Sequence, residues 1–85
     1  MTKGEYKVGI SFNPSANDTV THIKEAAAAL IDLIETIPLP AWFADSDDII
    51  ALHRLEVHRL KNLAQTTVEE SAMWAVKAAT KGSPQ

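Results

Sequence analysis

Apolar and polar positions divide the chain into stretches with different periods. Over residues 5–12, Tyr6, Val8, Ile10 and Phe12 alternate with Lys7, Gly9 and Ser11. Period two predicts an extended arm with one apolar side. No second strand follows, so the arm is expected to lie on a helix or on a neighbouring subunit. Asn13-Pro14-Ser15-Ala16-Asn17-Asp18 then reads as a turn and a helix start. Pro14 fixes its own φ and biases Asn13 away from the helical region. The side-chain oxygens of Ser15, Asn17 and Asp18 can accept from open helix N–H groups.

From Asp18 the period becomes helical. Val20, Ile23, Ala27, Leu30, Ile34 and Ile37 keep a/d spacing, Ala26 and Leu33 widen the stripe, and Lys24, Glu25, Asp32 and Glu35 lie off it. Such a seam expects helical partners. Pro38-Leu39-Pro40 ends the helix, since proline lacks the N–H that continuation requires. The linker Ala41-Trp42-Phe43-Ala44 is apolar, and Trp42 or Phe43 is expected to staple onto the next helix. Asp45-Ser46-Asp47-Asp48 suits the start of that helix, where the macrodipole favours negative charge. A second periodic run carries Ile50, Val57, Leu60, Ala64, Thr67, Ser71, Trp74 and Ala78 on one stripe, and closes at Lys81, Gly82 and Pro84.

A second helix over 46–80 spans ~50 Å at 1.5 Å per residue, and a first over 18–37 only ~30 Å. They cannot cover each other, so part of the long apolar face must meet another chain. Trp74, flanked by Ala72, Ala75 and Ala78, reads as an anchor filling a small-residue groove between helices. The fold class that follows is all-α: a two-helix antiparallel hairpin with an extended N-terminal arm, assembling into a helical oligomer. A single domain covers 1–85, with arm 1–14, helix 18–37, linker 38–45 and long helix 46–80.

Composition sharpens this picture. With 85 residues and no cysteine, neither disulfides nor thiolate metal sites can staple the fold, which leaves association as the route to stability. The formal charge of −3 and the lack of a basic run argue against a coat for nucleic-acid polymers. No signal-peptide core follows the N-terminus and no apolar stretch is long enough to span a bilayer, so a cytosolic protein with no membrane partner is expected.

Catalytic chemistry is missing from the motif inventory. There is no phosphate loop after a strand, no nucleophile elbow and no zinc spacing. His53 and His58 are five apart and do not share a helix face, and the acids are too dispersed for a magnesium nucleotidase. No catalytic residue, metal ligand or cofactor is therefore assigned, and the chain is read as a non-enzyme. The cations are sparse: Lys24 in the first helix, Arg54, Arg59 and Lys61 in the middle of the second, Lys77 and Lys81 near its end. Repetition around a symmetry axis would turn one such cation into a ring able to hold a compact polyanion, with Phe12 available to stack a base.

Phe12-Asn13-Pro14, Ile23-Lys24 and the run Leu63-Ala64-Gln65-Thr66-Thr67-Val68-Glu69-Glu70-Ser71-Ala72-Met73-Trp74-Ala75-Val76-Lys77 resemble the helical-hairpin proteins of tailed phages that include the anti-CBASS and anti-Thoeris sponges. The resemblance covers most of the chain outside residues 38–56. It implies trimers paired into hexamers that hold cyclic dinucleotides uncleaved between subunits, in the cytoplasm of the infected bacterium. For some members it also implies cyclic trinucleotides in separate pockets. Carried across, it makes Phe12 the base-stacking aromatic, Asn13 and Pro14 ligand-binding residues of the turn after it, Lys24 the phosphate-binding cation, and Arg59 a residue of the trinucleotide pocket. A phenylalanine at 12 lacks a tyrosine's hydroxyl, and the Trp42-Phe43 linker departs from the family pattern. The alternative reading is a structural or adaptor oligomer that binds a protein partner.

Overall fold

The computed structural model describes residues 1–40 and 48–84. Three helices follow one another: α1 (Lys3–Val8), α2 (Asp18–Glu35) and α3 (Asp48–Ala79). The expected start of the long helix at 46 and the packing of Trp42 and Phe43 lie outside the described residues. α2 begins where the turn signal placed it, with Asn17 as N-cap accepting from the Val20 N–H. It ends at Glu35, slightly ahead of the expected Ile37. Three contacts fix α2 and α3 as antiparallel. Gln65 Nε2 donates to Ile31 O, Lys61 Nζ donates to the carbonyls of Glu35 and Ile37, and Arg54 donates to Pro40 O. Lys61 thereby satisfies carbonyls that the end of a helix leaves open.

The expected extended arm is instead a helix over much of its length, and the reason is local. Thr2 and Glu5 form a capping box: the Thr2 hydroxyl accepts from the Glu5 N–H at 3.0 Å, and the Glu5 carboxylate accepts from the Thr2 N–H at 2.8 Å. Gly9 stops the helix in the left-handed region at φ 62°. There Gly9 N–H donates to Tyr6 O and Ile10 N–H to Glu5 O, the paired bonds of a Schellman ending. Both signals, Thr2-x-x-Glu5 and Gly9, stand in the sequence. The alternation of Tyr6, Val8, Ile10 and Phe12 competed with them and described the stretch wrongly.

Six residues make too short a helix to persist alone, so α1 exists because it is docked. Gly4 is buried against Ala28 of α2, and a Cβ built on Gly4 would lie 2.8 Å from the Ala28 Cα. That approach lets the Gly4 N–H, one of the open donors of the first turn, reach Asp32 Oδ1 at 2.7 Å. Lys3 Nζ meets Glu35 Oε2 at 2.8 Å, and Lys7 pairs with Glu69 of α3 at 3.7 Å. The turn that follows is organised by Asn13, whose amide donates to Asn17 O and Thr21 Oγ1 and accepts from the Asn17 N–H.

The buried line of α2 is Val20, Lys24, Ala28 and Ile31, which is rotated from the a/d seam read off the sequence. α1 and α3 together cover this line. Leu30, Leu33 and Ile37 remain exposed, and so do Leu60, Leu63, Met73 and Trp74 on α3. Trp74 is thus no anchor within one chain: it is 56% exposed, with Lys77 Nζ 5.5 Å from its ring centre. The molecule measures 63 × 26 × 13 Å, about one helix thick along its shortest axis.

Gln65 sits at the centre of the hairpin, 1% exposed. Its Nε2 serves both Ile31 O at 3.1 Å and Glu35 Oε2 at 2.7 Å, which fixes the amide orientation, while its Oε1 has no partner. Glu35 joins all three helices. Its hydrogen bond from Lys3, with a second from Gln65, lowers its pKa to about 2 from 4.5. A carboxyl whose folded pKa lies below its unfolded value contributes stability above the unfolded pKa and loses it as pH falls through the folded one. α1 is therefore expected to release progressively between pH 4.5 and about 2. Hydrogen exchange at residues 4–10 would follow this, and Glu35→Gln should flatten the pH dependence over that window. An unchanged pH profile in the variant would remove Glu35 from the account.

Candidate functional site

A groove of about 490 Å³ lies where the three helices meet. α1 and the turn after it supply one wall through Lys7, Gly9 and Phe12; α2 supplies Lys24; and α3 supplies Glu69, Ala72, Met73 and Val76. The volume falls in the range of small-molecule sites, and the lining, apolar with a few charges, has their usual character.

Lys24 is the decisive residue. It is 6% exposed, yet its ammonium pairs with no carboxylate among the described residues. Lys24 Nζ donates to Gly9 O at 2.8 Å and to Phe12 O, and sits 5.4 Å from the centre of the Phe12 ring. An ammonium has three donors, so one remains for a ligand. A buried cation without a counterion is costly, and an anion arriving in the groove would relieve that cost. The αL turn at Gly9 is what brings its carbonyl, and the Phe12 carbonyl after it, onto Nζ. Lys24 therefore both builds the turn and faces the groove.

Phe12 lies at the rim, 73% exposed, with a face open for stacking. Asn13 plays a different part from that expected. Its side-chain oxygen and nitrogen are both engaged within the turn, so it shapes the position of Phe12. Pro14 is exposed and does not line the groove. Arg59 is remote from it: exposed on α3, with Nε donating to Glu56 Oε1 at 3.0 Å on its own helix. That hydrogen bond holds the Glu56 carboxyl below its ordinary range and raises the guanidinium. The structure thus brings Phe12 and Lys24 together and leaves Arg59 apart. Sequence reasoning missed Lys7 and Glu69, because only the docking of α1 brings Lys7 to Glu69 of α3 in the groove that Lys24 also lines.

Among the described residues no group of histidines and acids could hold a metal ion, and no helix is long and apolar enough to cross a membrane. A family model, the Acb2/Tad1 hairpin domain, matches residues 5–80. The chain belongs to this hairpin family. No curated protein and no solved structure matches it. The Acb2/Tad1 family comprises sponges for cyclic oligonucleotide signals, proteins that act by binding. The matched span includes α2, α3 and most of α1, so all the groove's walls fall within the family's domain.

Proposed function

We propose that this Acb2/Tad1 hairpin protein is a phage immune-evasion factor. It sequesters the cyclic dinucleotide signals of bacterial CBASS defence, uncleaved, in the cytoplasm of the infected host. The observation that carries the reading is the buried Lys24 ammonium, which lacks a carboxylate partner and stands beside an apolar groove with Phe12 at its rim. One phosphate would take the remaining Lys24 donor as a charge-assisted hydrogen bond, and a base would stack on Phe12. Nothing in such a site needs to attack or protonate a phosphodiester, and release of intact ligand is the consequence.

The exposed apolar side chains of α2 and α3 support assembly into a homo-oligomer, which we take to be the hexamer built of paired trimers. A molecule this thin exposes Leu33, Leu63, Met73 and Trp74, and a second copy would cover them. Trp74 then becomes an anchor between chains. Arg59, apart from the dinucleotide groove, is the candidate for a second pocket that takes cyclic trinucleotides.

The test is calorimetric titration with cyclic di- and trinucleotides, followed by denaturation and chromatography of the recovered ligand. Tight binding with intact ligand is expected. Failure to bind any ring would point to an adaptor with a protein partner, and a cleaved product would make the chain an enzyme.

A further inference from the structure

The groove contains one feature that phosphate binding does not use. Glu69 is the only carboxylate among its lining residues. A negative side chain beside a polyanion is unfavourable unless its oxygens meet N–H donors. Lys7 Nζ stands 3.7 Å from Glu69 Oε1, beyond hydrogen-bond range, and both side chains are partly exposed. Among the described residues no hydrogen bond holds either side chain, so Lys7 of α1 and Glu69 of α3 can both serve a ligand where their walls meet.

The geometry points to this pair as a reader of guanine, an inference that rests on the sequestration reading above. Glu69 offers two carboxylate oxygens as acceptors, and Lys7 offers ammonium donors 3.7 Å from one of them. The Watson–Crick edge of guanine presents the complement: the N2 amino and N1–H as donors, then O6 as acceptor. Adenine places a lone pair at N1 beside a single amino donor, so one carboxylate oxygen would face a lone pair. Uracil offers one N–H between two carbonyls. Cytosine pairs an amino group with the N3 lone pair and fails as adenine does. Guanine alone satisfies both carboxylate oxygens and the ammonium together, and hydrogen bonds to charged groups are the stronger kind. A site built around such donors rejects analogues that lack them, because its own polar groups are then left unpaired. The pair also accounts for the carboxylate in electrostatic terms, since Lys7 screens Glu69 from the phosphate held at Lys24.

The experiment is a titration of the full-length protein and its Glu69→Gln variant with cyclic di-GMP, cyclic di-AMP and cyclic di-IMP. The inosine ring keeps N1–H and O6 and lacks the N2 amino group. The native protein is expected to bind the guanine ring at least about tenfold more tightly than either other ring. Glu69→Gln carries one acceptor and one donor, the complement of adenine, and is expected to shift preference toward cyclic di-AMP. Equal affinity for guanine and inosine rings, or a Glu69→Gln variant that weakens every ring alike, would overturn the guanine assignment and leave sequestration standing. Absence of binding by any ring would overturn both.

Discussion

Gly4→Ala is expected to detach α1 while leaving the α2–α3 hairpin folded. In an isolated helix the change would be favourable by about 1 kcal/mol, because alanine is the better helix former. Here the new methyl would lie 2.8 Å from both Cα and C of Ala28, against backbone that cannot move aside as a side-chain tip can. Overpacking of this kind costs about 1–3 kcal/mol and more where backbone must shift. α1 has little to hold against it: six residues, one exposed ion pair to Glu35, a longer one to Glu69, and the Gly4–Asp32 hydrogen bond, which the substitution displaces. Separation from α2 then means loss of the helix itself. Hydrogen exchange should show residues 5–10 unprotected and residues 20–34 and 57–76 nearly unchanged. Since α1 and its turn form one wall of the groove, cyclic dinucleotide affinity should fall at least about tenfold. Gly82→Ala is the matched control, as nothing lies within 4 Å of a Cβ there. Retained protection of α1 in Gly4→Ala would mean that the docking contact is looser than the structure describes.

Lys24→Met is expected to cause the largest loss of binding, about 100-fold or more. Two effects combine. Under the proposed function a bound phosphate would lose its charge-assisted donor, worth about 1.5–3 kcal/mol, and the turn bearing Phe12 loses the bonds that position it. Phe12 O gives up its bond to the ammonium, whereas Gly9 O keeps the Phe12 N–H at 2.9 Å. Methionine keeps an unbranched apolar stem and drops the terminal nitrogen, so the buried volume changes little. Lys24→Arg should recover only part of the affinity, because a planar guanidinium cannot reproduce the convergence of two carbonyls and a phosphate on one nitrogen. Calorimetry measures the affinities, and hydrogen exchange at residues 9–13 reports the turn. Sedimentation should show the same particle for native and variant protein. Native affinity in Lys24→Met, or dissociation of the particle, would remove this residue from ligand contact.

These expectations show which parts of the protein were legible in its sequence. The hairpin was, because its signals are local and mutually consistent: the Asn17 cap, a helical period from Val20, two prolines at 38 and 40, and a second periodic run. Phe12 and Lys24 were reached through the resemblance. Apolar periodicity alone passes over Lys24, because it lies off the a/d seam and yet is buried. The a/d reading assumed that a helix buries its most apolar stripe, and in this chain α2 buries the adjacent line. There a short helix needs Ala28 for close approach, and the turn after it needs a cation for its carbonyls. The displaced stripe was the clue to further partners rather than to the chain's own core.

By itself the sequence determined two unequal antiparallel helices, the turn between Phe12 and Asp18, and an apolar surplus that one chain cannot bury. Each follows from the order of residues over one or two turns. Tertiary structure decided the state of residues 3–8, which capping signals and alternation left contested until Gly4 met Ala28. It also decided the composition of the groove, by bringing Lys7 and Glu69 into one lining with Lys24 and leaving Arg59 outside. The physical reason is common to both. A six-residue helix has no stability of its own, so its form and the residues it presents are fixed only by the surface on which it docks.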